Sequence, residues 1–344
     1  MSSTLQIGLA VAGGVVLTAL VAHEAWKARK LAPRQPARTE AAPPDLAAAV
    51  EPQLDADPFT QEAFPLPLPE KKAGMDGLID VIAPIALEDL VSGDAALAAM
   101  PATRRAGSKP FAVEGMNAQT RVWETPAPGQ RYEAFQVGVQ LANRLGALNE
   151  IEFSEFVVKA QGFCDAVNGT PDFPDMLEQV ARARELDQFA SEHDAQLGFT
   201  LRARSAAWSP GYVQQHAARQ GFVAGAMPGR MVLPASEPGL PPVLGLSFDT
   251  QAALAEDPAQ AAIREFSLSL DVAQVARGEQ PFVRLRESAV ALAAAMDCII
   301  TDDNGQMLPR DAMDLIGSEL ENLYDNLERR DLAAGSPLAR RLFS

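Results

Sequence analysis

Two short stretches contain residue types that catalytic and metal sites use, and both lack the spacing that such sites need. Gly245-Leu246-Ser247 places a serine after a glycine, but the second glycine of a nucleophile elbow is missing and the serine lies in a strand pattern. Asp302-Asp303-Asn304-Gly305 lacks the alternating carboxylates and the late glutamate of a calcium loop, and it favours a hairpin turn. His23, His193 and His216 are scattered. The sequence therefore predicts a protein that is not an enzyme, with no metal site, no cofactor and no small-molecule substrate.

The composition narrows the class of partner. A formal net charge of −16 at pH 7 repels phosphate backbones, which argues against nucleic acid as a partner. Only two cysteines, Cys164 and Cys298, occur in 344 residues. That usage is typical of a reducing compartment and of buried thiols rather than of a disulfide scaffold.

The N-terminus carries the pattern of a membrane anchor. Residues 7–22 are apolar and uncharged, and the stretch 4–23 has about 20 residues, enough for a helix to cross a hydrocarbon core of ~30 Å. No basic residue precedes this stretch, and several follow it: Lys27, Arg29, Lys30, Arg34 and Arg38. Because positive charge stays on the cytoplasmic side, we expect a single-pass anchor over 1–30 in the inner (cytoplasmic) membrane, with a periplasmic N-terminus. A cleaved signal peptide is the alternative, but its basic n-region is missing.

A proline-rich segment separates the anchor from two domain-sized regions. Residues 31–75 combine many prolines with Ala, Glu and Asp and show little apolar periodicity, which predicts a disordered linker. The remaining residues, about 270, are enough for two domains. We place these domains at 76–194 and 195–330, with a flexible tail at 331–344.

Two strands with one buried face are the clearest elements, since residues 132–142 and 264–272 both alternate apolar and polar side chains. Shorter strands are predicted at 78–87, 111–116, 122–125, 196–202, 221–233 and 243–248. A helix is predicted after the capping residue Ser209, with Pro210 in its first turn. An apolar stripe predicts a last helix from about Pro309 to Arg329.

The order of elements recurs along the chain. Each of the two clear strands is followed by a helix that ends near a cysteine, then by an Asn-Gly pair, and then by a proline that opens another helix. The offset of about 131 to 135 residues predicts an internal duplication, with two α+β domains of generic patterning as the alternative. We therefore expect an α+β fold behind the anchor and linker: a two-layer antiparallel sheet with helices on one face, in two tandem copies.

The layout and the later part of the chain resemble the ZipA family of bacterial cell-division proteins. SPGYVQQHAARQGFVAGAM at 209–227 is similar to the family's first helix and the strand after it. REFSLSLDV at 264–272, the helix ending at Met296 and TDDNGQMLP at 301–309 are similar to its later strand, helix and turn. The resemblance covers 196–330 together with the anchor and the linker. It implies a six-stranded antiparallel sheet backed by three helices, and capture of the C-terminal tail of the tubulin-like protein FtsZ.

That family binds the tail mainly through apolar contacts in a shallow groove on the uncovered face of the sheet. The resemblance implies a peptide-binding groove near the following positions: Met227, Arg230, Met231, Ser247, Asp249, Ser267 and Ser269. Family members have more apolar side chains at several of these positions, so the floor is more polar here. We expect the serines to face outward, because the neighbouring apolar side chains suit the helix layer. A register shifted by one residue would instead place Phe248 and Leu268 in the groove.

The resemblance favours a cell-division protein that tethers FtsZ filaments to the inner membrane at the division site. A membrane-anchored structural adaptor for a different cytoplasmic partner is the alternative. An enzyme on the same scaffold is disfavoured, because no set of acid, base and nucleophile is present. Residues 76–194 have no identified counterpart in the family, and as a degenerate copy of the same domain they would supply a second sheet surface.

Overall fold

The computed structural model describes residues 33–36, 74–257 and 261–344. The predicted anchor and most of the predicted linker lie outside these ranges. Among the described helices, none has both the length and the apolar character needed to cross a bilayer.

The chain folds into two compact units. The first unit consists of residues 74–196, Asp271–Gly278 and Ser318–Ser344, and the second consists of residues 33–36, Leu197–Leu270 and Glu279–Gly317. The units are therefore not two consecutive pieces of sequence. Two segments that we expected in the later domain and the tail instead belong to the first unit.

The described residues form eight α-helices and fourteen strands. The helices are α1 (Gly93–Ala99), α2 (Glu150–Val167), α3 (Met176–His193), α4 (Pro210–Arg219), α5 (Thr250–Ala253), α6 (Pro281–Met296), α7 (Arg310–Arg329) and α8 (Pro337–Leu342). The strands of the first unit are β1 (Asp80–Ser92), β2 (Arg105–Ala106), β3 (Lys109–Asn117), β4 (Trp123–Glu124), β5 (Arg131–Gln140), β6 (Ala142–Asn143), β7 (Gly146–Ala147) and β8 (Gly169–Pro171). Those that follow are β9 (Gln196–Ala203), β10 (Val223–Ala224), β11 (Arg230–Leu233), β12 (Leu244–Ser247), β13 (Glu265–Asp271) and β14 (Cys298–Thr301).

The first unit is built on a six-stranded sheet with the order β2-β3-β5-β1-β8, in which β4 pairs with β3. Its pairs are antiparallel. One face of the sheet packs against α2, where the ring of Phe135 meets Phe163 edge-on at 5.2 Å. An Asn149–Glu152 capping box begins this helix by satisfying its first N–H groups.

The second unit is built on a six-stranded sheet with the order β10-β11-β12-β13-β9-β14. Hydrogen bonds from Ala203 N–H to Arg264 O and from Val272 N–H to Ala195 O show that β9 and β13 run antiparallel. As predicted, Ser209 caps α4 and Pro210 occupies its first turn. The predicted α+β class, with antiparallel sheets and helices, is confirmed.

The two sheets have the same order of connections. In each unit a central strand (β1 or β9) leads to a helix, then to outer strands, to its neighbour (β5 or β13), to a long helix, and finally to an edge strand (β8 or β14). Each long helix ends at a residue with left-handed backbone, Asn168 (φ 53°) in α2 and Asp297 (φ 55°) in α6.

The residues from which the repeat was predicted do not occupy matching positions. Cys164 lies inside α2, whereas Cys298 begins β14. Asn168 is a helix cap and Gly169 begins β8, whereas Asn304-Gly305 forms the turn after β14. The pairing of these motifs was therefore wrong, because similar short sequences serve as a helix cap in one place and as a turn in the other.

The predicted flexible tail at 331–344 is wrong. Ser336 caps α8 by accepting a hydrogen bond from the N–H of Ala339, and the side chains of Leu332, Leu342 and Phe343 are at most 1 % exposed. Burial of a leucine or phenylalanine side chain stabilises a fold by about 1.5–3 kcal/mol, so these three side chains hold the segment against the rest of the first unit.

Part of the predicted disordered linker is also ordered. Arg34 forms a parallel bridge with Trp208 in the second unit: its N–H donates to Ala207 O (2.7 Å) and its carbonyl accepts from Ser209 N–H (2.9 Å). Its guanidinium donates to Met296 O (3.0 Å) and pairs with Asp297 (3.1 Å). Backbone pairing therefore fixes a segment that its composition alone predicts to be unstructured.

Candidate functional site

The uncovered face of the second unit's sheet is the candidate site. Along β13 the side chains of Phe266, Leu268 and Leu270 are buried, while Ser267 and Ser269 point to the opposite face. The helices cover the apolar face, with Phe199 of β9 meeting Phe282 of α6 at 6.4 Å. The predicted outward orientation of the serines is confirmed, and Leu268 and Phe248 are buried rather than in a groove.

The centre of this face is a row of positions with almost no side chain. Gly245 pairs with Ser269 across β12 and β13. The antiparallel register of β9 and β13 places Gly198 opposite Ser269 on the other side. We call these three residues the glycine–serine row. An added Cβ at Gly245 would stand 2.7 Å from Ser269 Oγ, and one at Gly198 would stand 3.0 Å from Asp303 Oδ1. The row therefore carries little side-chain volume of its own, and the Asp303 side chain borders it at Gly198. We call this strip of the face the trough.

A row of hydroxyl groups runs beside this trough. Ser247 pairs with Ser267, and Thr200 pairs with Thr301. The same strand register brings Ser267 and Thr200 side by side, and Arg230 pairs with Ser247 at the outer end. Thr301 is buried and its hydroxyl donates to Thr200 O at 3.2 Å. The hydroxyls of Ser247, Ser267 and Thr200 are those that can donate and accept hydrogen bonds with a backbone laid along the trough.

The β10–β11 hairpin supplies an apolar wall at one edge of the trough. Val223 pairs with Val232, and Val232 pairs with Gly245, so these side chains lie in line with the glycine–serine row. Val223 is 50 % exposed, and Met227 in the hairpin turn is 61 % exposed. Toward the β9 end, Arg202 and Glu265 form an ion pair at 2.9 Å. The trough thus has a small polar floor and apolar side chains along one wall.

The structure brings together most of the predicted site residues. Arg230, Ser247, Ser267 and Ser269 lie on the uncovered face. Met227 lies at the adjacent hairpin turn, where its carbonyl accepts from Arg230 N–H at 3.1 Å.

Two predicted site residues lie elsewhere. Met231 is 6 % exposed and pairs with Leu246 on the helix-covered face. It follows Arg230 directly in a strand, and consecutive strand residues point to opposite faces. Asp249 caps the short helix α5 by accepting from Gln251 N–H at 2.8 Å.

Sequence reasoning missed the residues that form the floor and the wall, namely Gly198, Gly245, Thr200 and Val232. The alternation in LGLS at 244–247 is a signal that could have placed Gly245 beside Ser247 on one face. No sequence signal places Gly198 beside Ser269, because their adjacency depends on which strands are neighbours.

The buried titratable groups lie away from this trough. In the first unit, burial raises the pKa of Asp80, although Arg341 partly offsets the effect. Burial also raises the pKa of the Cys164 thiol to about 11 and of the Cys298 thiol to about 12. Both cysteines are free and buried, as predicted. Among the described residues, no group of three or more histidine, cysteine, aspartate and glutamate side chains could hold a metal ion.

A cavity of about 520 Å³ lies between α6 and the start of α7 in the second unit. Arg286 and Asp314 in its lining form an ion pair at 2.6 Å, and Val290 and Met313 contribute apolar surface. These side chains do not combine a nucleophile with a general base.

No protein-family model matches the chain, and no curated protein matches it either.

Proposed function

We propose that this protein is a membrane tether of bacterial cell division that binds the C-terminal tail of FtsZ in the trough of the second unit. Residues 4–23 form a single-pass anchor in the inner membrane with a periplasmic N-terminus, and both units lie in the cytoplasm at the division site. The order of elements in the second unit supports the resemblance to the ZipA family, since this unit has six strands together with α4, α6 and the first part of α7 (residues 310–317).

The observation that carries the proposal is the glycine–serine row on the face opposite the one that the described helices cover. A peptide can approach the backbone closely only where side chains are small, and Gly198, Gly245 and Ser269 provide this on three neighbouring strands. Apolar side chains of the peptide can then pack against Val223, Val232 and Met227. Burial of apolar surface stabilises by roughly 25 cal/mol per Å², so this wall is the main source of affinity.

The hydroxyl row sets the strength of the interaction. Ser247, Ser267 and Thr200 offer hydrogen bonds but little apolar area. We therefore expect a modest affinity for a single tail, weaker than an apolar groove would provide. Polymerised FtsZ presents many tails at once, and multivalent attachment can raise the overall affinity by a factor on the order of 10²–10⁴. A modest affinity for each single tail is therefore enough to tether a filament.

The test is a titration of the full-length chain, purified in detergent micelles, into a fluorescently labelled peptide of the FtsZ C-terminal tail. We expect saturable binding by fluorescence anisotropy, weakened at least tenfold by Ser269→Trp, which fills the trough at an exposed position. Ser154→Trp, at an exposed position of α2, is the matched control and should leave binding unchanged. Absence of saturable binding to the folded chain, or equal weakening by both variants, contradicts the proposal.

A further inference from the structure

The first unit has a row equivalent to the glycine–serine row, and a residue from the segment before β1 fills the space above it. Ile82 pairs with Gly138, and Gly138 pairs with Ala112, across the strands that correspond to β9, β13 and β12. Val137 and Val139 on either side of Gly138 are buried in the core, so position 138 faces away from α2. The sulfur of Met75 lies on that face, in the space that a Cβ at position 138 would need.

Two carboxylates hold the backbone of this segment. The N–H of Met75 donates to Glu114 Oε1 at 2.9 Å, and the N–H of Asp76 donates to Asp80 Oδ2 at 2.9 Å. Glu114 lies one step along the same face, where its Oε2 also accepts from Gln136 Nε2 at 2.8 Å.

Arg341 of α8 binds the segment from the other side. Its guanidinium donates to the carbonyl of Gly74 at 3.2 Å and pairs with Asp80 Oδ1 at 2.6 Å. The carbonyl of Arg341 accepts from Gln140 Nε2 at 2.8 Å, which fixes the residue over the end of the sheet. Residues 74–76 are thus bound through two N–H groups, one carbonyl and one side chain, which are the contacts that an extended peptide offers.

The groups that bind the segment keep partners without it. Glu114 retains Gln136, and Asp80 retains Arg341. Departure of the segment therefore leaves neither carboxylate buried and unpaired, which is the usual obstacle to opening such a face. Departure exposes the notch at Gly138 and Ala112, and it costs the hydrogen bonds from the N–H groups of Ile79 and Asp80 to Asp76 O, at 3.1 and 2.8 Å.

We propose that this face of the first unit is a second peptide-binding site, which residues 74–76 occupy until another peptide replaces them. Its ligand is an extended segment with an unbranched apolar side chain, like that of methionine, whose N–H meets Glu114 and whose carbonyl meets Arg341. A tethered segment competes at an effective concentration on the order of millimolar, so the site is closed to weak ligands. The inference rests on the proposed function for its ligand, the FtsZ tail.

The test counts bound tail peptides per full-length chain by isothermal titration calorimetry. We expect one peptide for the native chain and two for Met75→Gly, which removes the side chain from the notch. Met75→Leu should keep one, since it fills the same space. Met75→Gly with Ala112→Leu should return to one, because the leucine fills the notch from the neighbouring strand. Circular dichroism checks that each variant is folded.

The outcomes separate this inference from the proposed function. Ser269→Trp fills the trough of the second unit. The double variant Ser269→Trp/Met75→Gly should therefore bind one peptide, and Ser269→Trp alone should bind none. The native chain could also bind no peptide, which would contradict the proposed function. In that case the inference is still supported if folded Met75→Gly binds one peptide and the double variant Met75→Gly/Ala112→Leu binds none. A peptide count and affinity that Met75→Gly leaves unchanged overturn the inference.

Discussion

The sulfur of Met75 lies directly over Gly138, on the face of the first unit's sheet opposite α2. The methionine replaces the side chain that position 138 lacks, so a residue from before the first strand completes the surface of β5. The corresponding position in the second unit, Ser269, is exposed.

This relationship predicts a coupling between the two positions. Gly138→Ala should lower the free energy of unfolding by about 1–3 kcal/mol, since its Cβ would overlap the Met75 sulfur and stand 3.0 Å from Val81 O. In a Met75→Ala background the cost should fall by about 1 kcal/mol or more, because only the carbonyl contact remains. Urea denaturation of the native chain, the two single variants and the double variant measures this coupling. Gly162→Ala, with no atom within 4 Å of the added Cβ, is the control and should not destabilise. Equal costs in both backgrounds would show that Met75 does not fill the site.

Arg34 should stabilise the second unit despite its place in a proline-rich segment. Arg34→Ala removes the hydrogen bond to Met296 O and the pair with Asp297, and should lower the unfolding free energy by about 1 kcal/mol. The control is Gln35→Ala, whose side chain is exposed and should change stability by less than about 0.5 kcal/mol. Urea denaturation, followed by fluorescence of the buried Trp208, measures both. Identical curves for the two variants would mean that the bridge at Arg34 contributes nothing.

The buried Lys109–Glu152 pair should make stability depend on acid pH. Burial alone would raise the pKa of Glu152, but hydrogen bonds from Ser108 and the charge of Lys109 lower it overall from 4.5. A carboxylate with a lowered pKa stabilises the fold above its unfolded pKa, and this contribution disappears as the pH falls through the folded value. Glu152→Gln should therefore cost about 2–3 kcal/mol at pH 7, where it removes the carboxylate that pairs with the buried Lys109, and less below about pH 4.5.

Unfolding free energies between pH 7 and pH 3 measure this difference. Glu150→Gln is the control, because Glu150 pairs with Arg184 at an exposed position and should contribute less than about 1 kcal/mol. A gap between the Glu152→Gln and native curves that stays constant with pH would argue against a charge effect.

Tyr324 of α7 carries a buried hydroxyl group. Its side chain is 3 % exposed, its oxygen has no hydrogen-bond partner within the described part of the chain, and burial raises its pKa to about 12. Tyr324→Phe should raise the free energy of unfolding by about 1 kcal/mol, since it removes a desolvated polar group. Tyr132→Phe is the matched control and should destabilise by a similar amount. Its buried hydroxyl accepts from Ala127 N–H (2.9 Å) and donates to Glu124 (3.1 Å). Changes of the same sign in both variants would contradict this interpretation.

Local patterns predicted the elements well where the physical cause is local. Alternation at 132–142 and 264–272 corresponds to β5 and β13, and the Ser209-Pro210 start corresponds to α4. The prediction for the apolar stripe after Pro309 is confirmed as α7. Alternation also determined that Ser267 and Ser269 share a face opposite Leu268.

Local patterns failed where a short sequence has more than one structural use. The Asn-Gly pairs and the cysteines do not occupy matching places in the two units, although the order of connections is shared. The tail at 331–344 and the residues at 33–36 lack a strong pattern of their own. They are ordered because they contact side chains and backbone groups far away in the sequence.

The sequence by itself determined which residues within a strand share a face, because that depends only on the two-residue period of an extended chain. Tertiary structure alone decided which strands are neighbours, and so which faces combine into a surface. Gly198, Gly245 and Ser269 form one row only because β9, β12 and β13 are adjacent, and Met75 meets Gly138 only because the chain enters the first unit across its sheet. Such adjacency arises from the packing of distant segments against a common core, and no local period encodes it.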